Sequence, residues 1–281
     1  MVPKYDVRFF TGSYRTRQKL ANDWGADLYV EHHFNSADAS QANQPNYPLV
    51  VVAVNASERS KVWGQSYVRK VSALLGPFFG ATYAPRSFGD PHFGVKVGGF
   101  SAGGINNRGD YNLRFTNMPA ILLEPAFVSN ATHAKVITTL DGKSLFAKAL
   151  IQSIQEILPD GGKVAFSVGH KGKPSKPNDR GAAVVGHPDT SEADEAEKVL
   201  ILAEQLLEDG AVLGVPEEVL EPETIIYAGS ESPSWAREAV EFVTERGIME
   251  LETKGFEGQR PVTRFELAVI IHRAAKLLSK E

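Results

Sequence analysis

The stretch "YPLVVVAVN", Tyr47–Asn55, holds an apolar run that starts after Pro48 and ends at an asparagine. It is far shorter than the roughly 20 residues a membrane span needs. It also lacks the every-second-residue alternation of a strand with one wet face, so it predicts a strand covered on both sides. Its neighbours supply the cover. A helix capped at Ser57 follows, with Val62, Trp63, Tyr67, Val71 and Leu74 at helical spacing. Upstream, "YDVRFF" reads as a strand, "SYRTRQKLAND" as a helix and "ADLYVEHHF" as a second strand. Downstream, a glycine-rich loop around "VGGFSAGG" leads to "MPAILLEPAFVSN", whose Ala120–Leu123 predicts a buried strand ending at Glu124. The helix "GKSLFAKALIQSIQEIL" sets Phe146, Leu150, Ile154 and Ile157 on one stripe. The turn "PDGG" and the strand "KVAFSVG", ending at His170, come next. A polar loop to Thr190 then precedes the helix "SEADEAEKVLILAEQLLEDG", which stops at Gly210. Alternating strands and helices predict an α/β fold, a mainly parallel sheet flanked by helices.

At 281 residues the chain suits a core domain plus a small module. Residues 1–212 form the expected main domain. Residues 213–232, rich in Pro, Glu and Gly, read as a linker, and 233–281 as a small α-helical C-terminal module. A net charge of −4, with one short basic loop in "KGKPSKPNDR", argues against a nucleic-acid partner. With no cysteine, disulfides are excluded and a metal would need His, Asp or Glu. No membrane insertion is expected. "MVPKYDVRFF" lacks the features of a signal peptide, so a chain acting outside the cell would need another route of release.

Alternation in "ADLYVEHHF" puts Tyr29, Glu31 and His33 on one face and Val30 and His32 on the other. His33, Glu124 and His170 each fall at the carboxyl end of an expected strand, where open parallel sheets gather ligands. A carboxylate from the first turn of the "SEADEAE" helix could complete a His2Glu shell, one that leaves a position open for water. Helix phase selects Glu192: counting seven, eleven, fourteen and fifteen residues on gives Val199, Ala203, Leu206 and Leu207, an apolar stripe. The same count from Glu195 reaches Asp209 and Gly210. Glu195 stays open as the alternative. Glu124, after "AILL" and before Pro125, is a costly carboxylate unless it is paired or functional, which suits a general base. Each group also has a plain alternative, the helix acid as a macrodipole partner and each histidine as a hydrogen-bonded structural residue.

"ADLYVEHHFNS" resembles the "ADLFISIHANA"-type segment, and "MPAILLEPAFVSN" the "MPAVLVEIGFISN"-type segment, of zinc-dependent N-acetylmuramoyl-L-alanine amidases of the amidase-3 class. "NRGDYNLRFTNMP" resembles the lead into the latter. The resemblance implies His33 as a Zn2+ ligand, sets His32 aside and makes Glu124 the catalytic glutamate. In that family a strand ending in the first zinc histidine, and a helix bearing the ligand glutamate, come first. Here "KVAFSVGHKG" and "SEADEAEKVLILAEQLLEDG" resemble that unit placed last, which implies a circular permutation with His170 and Glu192 as the remaining ligands. The C-terminal module, through Trp235, Ala236, Ala239, Gly247, Ile248, Gly255, Phe256 and "PVTRFELAVIIHRA", resembles an S-layer homology (SLH) domain. That resemblance implies binding of secondary cell-wall polysaccharide around Trp235, Thr263, Arg264 and Glu266. Thr263 and Glu266 also have capping-box spacing.

The expected activity is hydrolysis of the peptidoglycan amide between N-acetylmuramic acid and L-alanine. Without a signal segment, the expectation is a phage endolysin, made in the host cytoplasm and reaching the cell wall on release, rather than an exported extracellular autolysin. Two rival readings are a non-catalytic cell-wall-binding protein and a zinc peptidase cutting within the stem peptide.

Overall fold

The computed structural model describes residues 3–38, 44–99 and 110–208. The chain divides into two units, Met1–Val215 and Pro216–Glu281. The described residues all belong to the first. The linker, the SLH-like module and its Trp235, Thr263, Arg264 and Glu266 lie outside them, as does most of the glycine-rich "VGGFSAGG" loop.

Six strands form one sheet: β1 (Lys4–Phe9), β2 (Leu28–His32), β3 (Leu49–Val52), β4 (Val95–Val97), β5 (Ala120–Glu124) and β6 (Gly161–Val168), in the order β1-β6-β2-β5-β3-β4. β1, β6, β2 and β5 run parallel, β3 pairs antiparallel to β5, and β4 is parallel to β3. The expected mainly parallel α/β fold is therefore observed. The run from Leu49 is β3, buried on both faces as its continuous apolar character requires.

The helices are α1 (Tyr14–Trp24), α2 (Glu58–Phe79), α3 (Ala131–Ile137), α4 (Leu140–Ile157) and α5 (Glu192–Glu208). One sheet face, carrying Leu28, Val30, Val50, Val52, Ile121, Leu123, Val164 and Phe166, packs under Trp63, Tyr67 and Val71 of α2, Phe146, Leu150 and Ile154 of α4, and Val199 and Ala203 of α5. The other face, with Tyr29, Val51, Leu122 and Ala165, meets Ala21 of α1 and Leu113. Ser57 caps α2 as expected, its side chain accepting from the Ser60 N–H.

Three local expectations need correction. Val62 is 41% exposed: it lies one position from Trp63, at the edge of the stripe, and points to solvent. The "PDGG" glycines are not only a turn, since Gly161 and Gly162 already pair with Lys4 and Tyr5 as the start of β6. The polar loop before Thr190 contains a small hairpin, β7 (Ala183–Val184) and β8 (His187–Ser191), turned at Gly186. Its Pro, Asp and Thr content hid a strand that alternation could not reveal.

Candidate metal centre

β2, β5 and β6 are parallel, so their carboxyl ends open on one side of the sheet. His33 follows β2, Glu124 ends β5 and His170 lies two residues past β6. Glu192 is the first residue of α5. That helix starts at the cleft because Ser191 and Asp194 cap it reciprocally: the Ser191 hydroxyl and N–H both donate to the Asp194 carboxylate, at 2.7 and 3.1 Å.

Donor atoms of His33, His170 and Glu192 lie within 4.8 Å of one another. Glu192 Oε1 is 3.2 Å from His33 Nδ1 and 2.7 Å from His170 Nε2, and its Oε2 accepts from the Ala182 N–H at 3.0 Å. Glu195 faces elsewhere, in a buried pair with Lys143 Nζ at 2.9 Å and with Thr190 and Lys198. Glu124 lines the same cleft as the three donors. Two histidines and one carboxylate, open to a cleft on one side, fit a divalent zinc ion with a free coordination position.

The carboxylates around His33 favour positive charge at this point of the cleft. Burial alone would push the His33 imidazole down, but hydrogen bonds to Glu192 and Glu31 and their charges hold it well above the usual histidine range. Burial would raise Glu192; the two imidazoles pull it down to about 2. His32, on the opposite face and stacked edge-on against Phe34 at 5.1 Å, is driven down to about 3 by burial and stays neutral. It takes no part in the centre.

Backbone shape keeps the three donor groups together. His170 adopts φ 64°, a left-handed conformation uncommon outside glycine that persists where the surroundings impose it. A Cβ on Gly169 would sit 2.3–2.4 Å from the His33 ring, and one on Gly181, at φ +73°, would sit 2.4 Å from the Glu192 carboxyl group and 2.7 Å from His170 Cδ2. Gly181→Ala should therefore displace Glu192, lowering zinc affinity by at least about tenfold, the scale seen when partners that orient a ligand are lost. Zinc titration of the folded variant checks this, and parental affinity would show that the Gly181 approach is not required.

Sequence reading missed the supports. Glu31 accepts from His33 Nε2 at 2.9 Å and from Asn112 Nδ2 at 2.7 Å, and Asp179 Oδ1 is 2.9 Å from His170 Nδ1. Glu31 had one visible signal, its place on the His33 face of β2. Asp179 lay within the basic "KGKPSKPNDR" loop and had none.

The cleft is about 1280 Å³, with Tyr14 and Tyr111, Tyr47 and Phe127, and Lys173 and Lys176 among its walls. This exceeds the ordinary range for small-ligand pockets.

A sequence model of the amidase-3 family, N-acetylmuramoyl-L-alanine amidase, matches residues 3–156, and one of the S-layer homology domain matches 229–268. Among solved structures, an N-acetylmuramoyl-L-alanine amidase from Clostridium difficile 630 is similar at 22% identity and TM-score 0.40, over 52% of this chain and 66% of that one. The catalytic domain of the amidase CwlV from Bacillus (Paenibacillus) polymyxa var. colistinus is similar at 21% identity and TM-score 0.37, over 52% and 66%. The amidase AmiC2 of Nostoc punctiforme is similar at 18% identity and TM-score 0.34, over 52% and 65%. The chain thus spans just under two thirds of the length of these solved relatives. No match is found among curated proteins. The family match, which contains His33 and Glu124 and covers more than half of the sequence, establishes that the chain belongs to the amidase-3 family of N-acetylmuramoyl-L-alanine amidases.

Proposed function

We propose that the protein is a zinc-dependent peptidoglycan amidase that hydrolyses the bond between the lactyl group of N-acetylmuramic acid and L-alanine. The observation that carries this reading is the convergence of His33, His170 and Glu192 in the cleft that Glu124 lines, in a chain of this family. His33, His170 and Glu192 would hold Zn2+. When bound, zinc supplies Lewis-acid polarisation of the scissile carbonyl. Glu124 takes a proton from the attacking water as the C–O bond forms, then delivers it to the amine nitrogen of L-alanine as the C–N bond breaks. Asp179 and Glu31 hold the imidazoles from behind. The aromatic side chains in the walls would offer faces for sugar and peptide.

A circular permutation accounts for the order of the parts. In its support, the family match ends at residue 156, whereas His170 and Glu192 follow it, and β6 is inserted between β1 and β2 with parallel pairing on both sides. The domain division proposed is a catalytic domain over 1–212, a linker over 213–232 and an SLH-like module over 233–281. The SLH match supports association with the cell wall. Secondary cell-wall polysaccharide would be its ligand, met by Trp235, Thr263, Arg264 and Glu266.

Mass spectrometry of soluble products from purified peptidoglycan tests the activity. Digestion with zinc-loaded protein should release stem peptides with a free L-alanine amine. Cleavage inside the peptide would replace the amidase reading with a peptidase, and sedimentation with the wall without release would leave a binding protein.

A further inference from the structure

Behind the three donors lies a second layer that joins both histidines. Glu31 is fully buried, and its carboxylate meets His33 Nε2 at 2.9 Å, Asn112 Nδ2 at 2.7 Å, the Tyr29 hydroxyl at 3.3 Å and Arg17 Nη1 at 3.8 Å. Arg17 is also fully buried. Its Nη1 donates to Ser167 Oγ at 2.7 Å and to the Val168 carbonyl at 2.8 Å. Its Nη2 donates to the carbonyls of Gly12 at 2.9 Å and Lys171 at 2.5 Å. Val168 and Lys171 bracket Gly169 and His170, the turn in which His170 takes its left-handed conformation. One guanidinium therefore grips both sides of that turn while facing the carboxylate that holds the other histidine.

We propose that the buried Arg17–Glu31 pair is a positioning device for the metal centre, Glu31 setting the His33 imidazole and Arg17 the turn that presents His170. The proposal rests on the zinc reading above. Stability alone is a poor reason for such a pair, since buried ion pairs can often be replaced by apolar residues without loss. Its geometry supplies a better one. With Nε2 engaged by Glu31, His33 turns Nδ1 toward Glu192, 3.2 Å away, which fixes the ring nitrogen that faces the donors. Arg17, bonded to backbone carbonyls on each side of His170, removes the freedom of the residues that would otherwise relax out of a left-handed turn.

The test is zinc affinity of the full-length protein, by competition with a chromophoric chelator, together with the visible absorption of the cobalt-loaded form. Glu31→Gln, which keeps shape and removes charge, should weaken zinc binding by about 10–100-fold and shift the cobalt bands. Asn112→Ala should act in the same direction and more weakly. Arg17→Lys should also weaken binding, and the double variant Arg17→Lys/Glu31→Gln should lose less than the product of the two single losses, because the pair acts as a unit. Parental affinity and parental cobalt absorption in Glu31→Gln would overturn the proposal, even if the metal-free variant melts at a lower temperature. Should Glu31→Gln fail to fold, parental affinity in both Asn112→Ala and Arg17→Lys would overturn it equally. A parent protein that binds no zinc would refute the metal reading itself, a distinct result from a zinc-binding parent whose variants match it.

Discussion

Glu124→Gln is expected to keep its zinc and lose at least about 1000-fold in peptidoglycan hydrolysis, equivalent to about 4 kcal/mol of transition-state stabilisation. The carboxylate ends β5, and neither its backbone pairing with Leu49 nor the packing of Leu122 and Leu123 depends on its charge. The amide has the same shape but cannot accept the proton of the attacking water or return one to the leaving amine. Zinc should remain because His33, His170 and Glu192 are untouched. Metal analysis of the purified variant, beside release of soluble fragments, separates the two effects. Substantial residual hydrolysis would remove Glu124 from the role of base, and loss of zinc would make it a ligand.

His170→Ala is expected to lose both metal and activity, and its effect on zinc affinity should exceed the about 10–100-fold typical of losing a group that only orients a ligand. Two independent contacts depend on this imidazole: Nε2 with Glu192 Oε1 at 2.7 Å and Nδ1 with Asp179 Oδ1 at 2.9 Å. Without it, His33 and Glu192 are the donors left of the three, too few for the protein ligand set of a catalytic zinc site. The same variant tests the permuted order, because His170 lies beyond residues 3–156, which match the family model. Circular dichroism should show an intact fold, since the exchange removes no residue of the apolar core and alanine keeps the Cβ, leaving the left-handed backbone strain at this position unchanged. A folded variant with a full complement of zinc and parental activity would end the permutation argument.

Much of this site was legible before the fold was known. Period-two alternation put Glu31 on the face of His33 and His32 on the other, and the structure keeps that division: His33 bonds Glu31, while His32 lies against Phe34. The phase of α5 selected Glu192 through Val199, Ala203 and Leu207, all buried, and Glu195 is engaged by Lys143. Side-chain direction within one strand or helix is fixed by backbone geometry alone, so these divisions of faces can be read from the sequence. The β7–β8 hairpin and α3 went unread, being too short for any period to emerge.

Sequence by itself determined the alternation of elements, the buried character of β3 and β5, the family motifs around His33 and Glu124, and the faces on which the chemical groups lie. Only the tertiary structure decided that β6 enters between β1 and β2, that Asp179 reaches His170, and that Arg17 of α1 faces Glu31 while holding the turn of His170. The division has a physical cause. A local pattern of apolar residues says that a face must be covered, but strands pair through backbone groups that every residue shares, so the choice of neighbour is made by the packing of the whole domain.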